Sequence, residues 1–178
     1  MSLILDKLAQ VLNPVKPEAL LIGGQALRTY GVIRQTLDVD CLAATDGAAK
    51  LEQALLAAGY TALSRSDTVV CYRHPSPILL DVDVVIVNPE TFNKLQRDSR
   101  QWHAEQPVWR VPSLAHLIAL KLHAIKNAPE RGRDLPDIIS LLRQNPNDLT
   151  RTKVQELCQQ FGPPDVFSEL EKVGIWKS

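Results

Sequence analysis

Two short segments of the chain set aspartates at alternate positions: Thr36-Leu-Asp-Val-Asp-Cys-Leu42 and Ile78-Leu-Leu-Asp-Val-Asp-Val-Val-Ile-Val87. An extended strand turns successive side chains to opposite faces, so Asp38 and Asp40 share one face while Leu37, Val39 and Cys41 share the other. Asp81 and Asp83 repeat the arrangement against Leu80, Val82, Val84 and Ile86. One such strand is well explained as the solvent face of a one-sided sheet. Two are harder to explain that way, because carboxylates are poor strand formers, costly to half-bury, and repel one another across neighbouring strands. A divalent cation removes the repulsion, and Mg²⁺ takes hard oxygen ligands from carboxylates and substrate phosphates. Three carboxylates holding two Mg²⁺ ions about 4 Å apart form the clamp used for in-line displacement at phosphorus. The second strand must supply one of them. Asp83 is preferred because it leads directly into the apolar run Val84–Val87, with Asp81 as the alternative.

Ile22-Gly23-Gly24-Gln25 lies about fifteen residues before the first aspartate pair. Glycines between a strand and a helix let a ligand approach the backbone, and helical N–H groups there can meet phosphate. The same pair also suits any tight strand-to-helix turn. Further on, helical spacing from Leu114 puts Leu114, Leu117, Ile118, Lys121 and Ile125 on one face, with His116 and His123 opposite. A lysine inside an apolar stripe either snorkels to its edge or meets a buried anion. Arg133-Asp-Leu-Pro-Asp137 offers that anion, since Asp134 and Asp137 stack on one face of a helix. The plainer reading is that Asp134 caps the helix, Pro136 sits in its first turn and Asp137 complements the dipole. If an aspartate pairs with Lys121, it can orient the ammonium towards a triphosphate.

The elements that must carry these residues can be read in order. Leu3, Ile4, Leu8, Val11 and Leu12 predict a first helix, stopped by Asn13-Pro14. Ala19–Ile22 is a short buried strand, and residues 25–30 are helical up to Gly31. The first aspartate strand follows. Thr45-Asp46 then caps a helix with the apolar face Leu51, Leu55 and Leu56, closed by Gly59. Val69–Arg73 is a strand, and Pro75-Ser-Pro77 turns the chain into the second aspartate strand. A polar helix is expected from Thr91 to His103, a short extended stretch over Val108–Val111, and an amphipathic helix from Ser113 to Lys126. The loop 127–133 leads to a helix over Leu135–Arg143. One more helix includes Val154, Leu157, Cys158 and Phe161, and a second starts at Asp165. The fold class is α+β: a mixed β-sheet flanked by helices, then a helical C-terminal part. The expected division is a core over 1–112 and helices over 113–178 packed on it.

Bulk properties narrow the function. Lys+Arg and Asp+Glu both total 20 in 178 residues, so no net charge steers the chain to a long polyanion. The three cysteines are odd in number, far apart and set among apolar neighbours, which reads as reduced buried thiols rather than disulfides or a zinc site. The histidines show no metal-ligand spacing, and no nucleophile elbow or Walker-type Gly-Lys-Ser/Thr occurs. No apolar run approaches the ~18 residues of a membrane span. The expected location is the cytoplasm, away from membranes.

Taken together, Ile22-Gly-Gly-Gln-Ala, Arg34-Gln-Thr-Leu-Asp-Val-Asp40, Asp81-Val-Asp83, Leu117–Ala124 and Arg133-Asp-Leu-Pro-Asp137 resemble the AbiEii toxin-like nucleotidyltransferases, relatives of the minimal nucleotidyltransferases. The resemblance spans about residues 19 to 142. It implies a nucleotidyltransferase fold and Mg²⁺-dependent transfer of a nucleoside monophosphate from an NTP, ATP among the candidates, to an acceptor hydroxyl. Gly23 and Gly24 would hold the triphosphate, while Asp38, Asp40 and Asp83 would bind metal. Asp83 would be the base for the acceptor hydroxyl. Lys121 would act as a catalytic and substrate-binding lysine, with Asp134 and Asp137 as further substrate-binding residues. The acceptor would be tRNA or a protein, and a cognate antitoxin would be a partner. Two other classes fit the same scaffold: a non-catalytic nucleotide- or partner-binding module, and a small-molecule transferase of the aminoglycoside type.

Overall fold

The computed structural model describes residues 8–10, 19–103, 106–128 and 132–176. The expected helix over Leu3–Leu12 lies outside the described residues except for 8–10, which are helical. The chain divides into two compact units, Met1–Ala26 with Arg34–Pro112, and Leu27–Ile33 with Ser113–Ser178.

The first unit is a mixed seven-stranded sheet in the order β3-β4-β5-β2-β1-β7-β6. Its strands are β1 (Ala19–Leu21), β2 (Asp38–Ala44), β3 (Thr61–Arg65), β4 (Val69–Arg73), β5 (Asp81–Val87), β6 (Arg100–His103) and β7 (Gln106–Val111). The two aspartate strands are adjacent and parallel, pairing Asp38 with Asp81 and Asp40 with Asp83. Their alternation is what the sheet uses: Val39, Cys41, Val82 and Val84 are buried while Asp38, Asp40, Asp81 and Asp83 are half-buried. Burying those apolar side chains on one face fixes the register, because a one-residue slip would turn the aspartates inward. Helices α1 (Gly23–Ala26), α2 (Thr45–Ala57) and α3 (Pro89–Arg97) belong to this unit.

Several local expectations need correction. β2 begins at Asp38 and β5 at Asp81, so Leu37 precedes its strand and is exposed rather than sharing the apolar face, and Ile78, expected to open the second strand, lies before it and is exposed. Ala44, not Thr45 or Asp46, occupies the N-cap of α2, and no side chain caps it. The helix expected to reach His103 ends at Arg97; Arg100–His103 instead pairs antiparallel with β7. Its start is well defined, with Asn88 accepting from the Thr91 N–H at 2.8 Å and Pro89 in the first turn. Strand β3 has no counterpart among the expected elements, and all five of its residues are exposed.

The second unit holds a 3₁₀ turn at Leu27–Tyr30 and helices α4 (Leu114–Asn127), α5 (Asp134–Gln144), α6 (Arg151–Phe161) and α7 (Val166–Lys172). Ser113 caps α4 by accepting from the His116 N–H. Helix α4 packs on α5 and α6, and its stripe of Leu114, Leu117, Ile118 and Leu122 is buried with Ile138, Leu141, Val154 and Leu157. Gly31 ends the 3₁₀ turn with φ 77°, a conformation glycine adopts without penalty. Among the described residues, no helix is long and apolar enough to cross a membrane.

Candidate active site

The parallel register of β2 and β5 lays four carboxylates side by side on the more open face of the sheet. The neighbouring strand β4 then separates them. Its Arg73 forks onto Asp81, donating from Nη2 at 2.8 Å and from Nε at 3.1 and 3.2 Å. Asp81 is thereby occupied by a guanidinium, the planar group best matched to a carboxylate. Each of the other three, Asp38, Asp40 and Asp83, offers an oxygen within 4.8 Å of the others, and all three are half-buried. The geometry therefore separates Asp83 from Asp81, a choice that spacing alone leaves open.

The glycine turn after β1 adjoins this triad. Gly23 has φ +59°, and a Cβ built on it would lie 1.8 Å from Asp40 Oδ2. The Asp40 carboxylate occupies the space that a side chain would take, and the Ile22 N–H donates to the Asp40 carbonyl at 2.9 Å. A Cβ on Gly24 would meet Thr36 at 2.9 Å. The Thr36 hydroxyl in turn donates to Asp38. Both glycines thus seat the segment that carries the acidic pair.

The surroundings hold nearby acidic groups in their neutral form. Burial, reinforced by the charges of Asp40 and Asp83, drives the Cys41 thiol well above its ordinary range, so it is no thiolate ligand or nucleophile. Tyr60 is pushed up to about 12 by burial, with Asp81 and Cys41 adding to it, and its hydroxyl donates to the Leu80 carbonyl at 3.2 Å. Cys71 faces Asp83 across the β4–β5 ladder. A hydrogen bond from Ser64 lowers its pKa, but the bond to Asp83 and burial outweigh this, and the net shift is upward.

Arg73 and Cys71 are the neighbours that sequence reasoning does not single out. The signal is present: on Val69–Arg73 they alternate with the buried Val70 and Tyr72, and the short turn at residues 75–77 brings that face beside Asp81 and Asp83.

In the second unit Lys121 meets anions rather than snorkelling. Its Nζ lies 2.5 Å from Asp137 Oδ2 and 3.0 Å from Asp134 Oδ1, and Lys121 and Asp137 are 7% and 4% exposed. Asp134 consequently does not cap α5. It is the first helical residue, and the N-cap before it, Arg133, makes no side-chain capping bond. The expected site residues therefore fall into two groups: Gly23, Gly24, Asp38, Asp40 and Asp83 in the first unit, and Lys121, Asp134 and Asp137 in the second.

Three half-buried carboxylates presenting oxygens this close together suit a hard divalent cation, which they would hold with oxygen ligands only. The model of the family described as Uncharacterised nucleotidyltransferase matches residues 3–164. The chain belongs to that family. This nucleotidyltransferase shares its fold with solved structures of low sequence identity. The solution structure of the antibiotic-resistance factor ANT(2'')-Ia aligns with a TM-score of 0.62 at 17% identity, covering 97% of this chain and 98% of that one. The crystal structure of ANT(2'')-Ia in complex with adenylyl-2''-tobramycin gives 0.65 at 16% identity, covering 88% and 94%. An antigenic nucleotidyltransferase-like protein from Paracoccidioides brasiliensis gives 0.51 at 20% identity, covering 93% and 89%. No curated protein matches the sequence. The mixed sheet followed by helices is thus the nucleotidyltransferase fold, and the acidic triad is compatible with a bound divalent cation.

Proposed function

We propose that this nucleotidyltransferase moves a nucleoside monophosphate from an NTP to an acceptor hydroxyl, with Mg²⁺ held by Asp38, Asp40 and Asp83. The observation that carries the reading is the convergence of these carboxylates within 4.8 Å beside Gly23, while Asp81 is tied to Arg73. Mg²⁺ bound there would supply charge neutralisation for the leaving pyrophosphate and ease ionisation of the attacking hydroxyl. Asp83 takes the proton of the acceptor hydroxyl as its oxygen bonds to the α-phosphorus and the bond to pyrophosphate breaks. The Gly23-Gly24 backbone lets the triphosphate come close without a side chain in the way. Lys121, Asp134 and Asp137 keep the substrate-binding role that the family resemblance implies. In that role the two carboxylates fix the ammonium.

The finer assignment follows the AbiEii toxin-like resemblance: the chain modifies tRNA or a protein and is restrained by a cognate antitoxin. A small-molecule acceptor is the second reading. One observation favours it: the chain aligns almost end to end with ANT(2'')-Ia, whose complex contains an adenylylated tobramycin. A zero net charge also gives a polyanionic acceptor no general attraction. Incubation with each α-labelled NTP and Mg²⁺, in parallel with total tRNA, with a protein extract and with an aminoglycoside, separates the readings. Label in RNA or protein supports the toxin-like assignment, and label in the aminoglycoside alone supports the second. No label in any arm contradicts nucleotidyl transfer to these acceptors.

A further inference from the structure

Strand β4 gives each aspartate of β5 a different partner. Cys71 stands in register with Asp83, and two residues on Arg73 donates to both oxygens of Asp81. The thiol keeps its proton and leaves the charge of Asp83 intact. The guanidinium cancels the charge of Asp81 and fixes its carboxylate through a fork of N–H donors. Two aspartates with the same side-chain chemistry on one strand are thus held in different electrostatic states by their neighbour.

The difference matters because Asp81 pairs with Asp38 across the parallel ladder, on the same face of the sheet. Released from Arg73, Asp81 would be a fourth charged carboxylate beside the three that converge within 4.8 Å. Like charges on neighbouring strands repel one another. A hard divalent cation also accepts any carboxylate oxygen within reach, and it binds more tightly as the charge of its ligands rises. A fourth ligand would therefore strengthen cation binding while drawing the group away from its productive placement. The ion pair adds little to folding, since the side chains of Arg73 and Asp81 are 59% and 36% exposed. Its effect falls on the site.

We propose that Arg73 is a positioning residue: by neutralising Asp81 and holding its carboxylate, it limits the cation site to Asp38, Asp40 and Asp83. The proposal rests on the nucleotidyl-transfer reading above and adds a residue to it. Arg73 acts through Asp81 alone and makes no contact with the substrate.

The test compares wild type, Arg73→Gln, Asp81→Asn and the double variant. Calorimetric titration of Mg²⁺, transfer from α-labelled NTP and thermal unfolding are measured on each. Arg73→Gln is expected to bind Mg²⁺ about tenfold more tightly and to transfer label about tenfold more slowly. Its unfolding temperature should stay within about 2 °C of wild type. Asp81→Asn should resemble wild type in both binding and transfer. The double variant should return to the Asp81→Asn values, because no carboxylate remains to be restrained. A double variant as slow as Arg73→Gln would mean that Arg73 meets the substrate directly, which overturns the proposal. Unchanged Mg²⁺ binding and transfer in Arg73→Gln, or a joint loss of both with a lowered unfolding temperature, overturns it as well. If Arg73→Gln tightens Mg²⁺ binding, Asp81→Asn reverses this and no protein transfers label, the positioning role stands and the transfer reading falls. If wild type binds no Mg²⁺, both fall.

Discussion

Gly23 and Asp40 share one space: the carboxylate fills the volume where a side chain on residue 23 would begin, and the glycine adopts φ +59°. Two independent demands therefore exclude other residues at position 23. An alanine there would lose about 1–2 kcal/mol to the left-handed backbone alone. It would also drive the Asp40 carboxylate aside by more than an ångström, because its Cβ would start 1.8 Å from Oδ2. We expect Gly23→Ala to cut NTP turnover about a hundredfold, the usual cost of such a misplacement. The melting temperature should fall modestly. Turnover at the wild-type rate would show that Asp40 has no catalytic part.

Asp81 and Asp83 are chemically alike and two residues apart, yet only Asp83 joins the triad while Arg73 occupies Asp81. Asp83→Asn should lower transfer by about two orders of magnitude or more, the contribution of a positioned base. Asp81→Asn should leave turnover within a few-fold of wild type, since an exposed ion pair of this kind adds little. Steady-state kinetics on the two variants checks the assignment; the reverse ranking would transfer the role to Asp81.

These residues show what the sequence reveals and where it stops. Alternation exposes β2, β4 and β5, because each has one buried and one open face. It cannot expose β3, whose Thr61–Arg65 are all exposed at the sheet edge and so show no contrast between faces. Arg100–His103 reads as helix because a polar run after Pro89 suits one, whereas its strand state comes from pairing with β7, a tertiary effect. The glycine turn and both aspartate pairs are legible as chemistry. Which aspartate of the second pair is left to join the other two follows from Arg73, eight residues before Asp81, which engages Asp81, and thus from strand order.

Lys121 stands out of place in its stripe from the sequence alone, with Asp134 and Asp137 as candidate partners. In the structure the ammonium is enclosed by both. Lys121→Met should therefore strand two carboxylates, costing about 3–5 kcal/mol in denaturant titration. Replacing Asp134 and Asp137 by Asn in the same chain should restore most of it. A loss below about 1 kcal/mol for Lys121→Met would mean that the cluster is solvated.

Alkaline pH should destabilise the chain in a defined window. Burial raises Cys158 from 9.0 to about 11 and Tyr60 from 10.0 to about 12. Both groups keep their proton in the folded chain at a pH where the unfolded chain has lost it. The folded state then binds more protons, and stability falls as pH rises. The contribution is complete below about pH 9 and is lost progressively towards pH 12. Unfolding midpoints measured across this range should decline, and a flat profile would contradict the buried placement of both side chains.

The most direct test of the account is incorporation of α-labelled nucleotide with Mg²⁺ present, with Mg²⁺ chelated, and with Asp40→Asn in place of wild type. Calorimetric titration of Mg²⁺ into both proteins runs alongside it. The convergent triad predicts label transfer by wild type with Mg²⁺ only, and loss of both transfer and Mg²⁺ binding in folded Asp40→Asn. Undiminished transfer by that variant, or transfer indifferent to chelation, would contradict it.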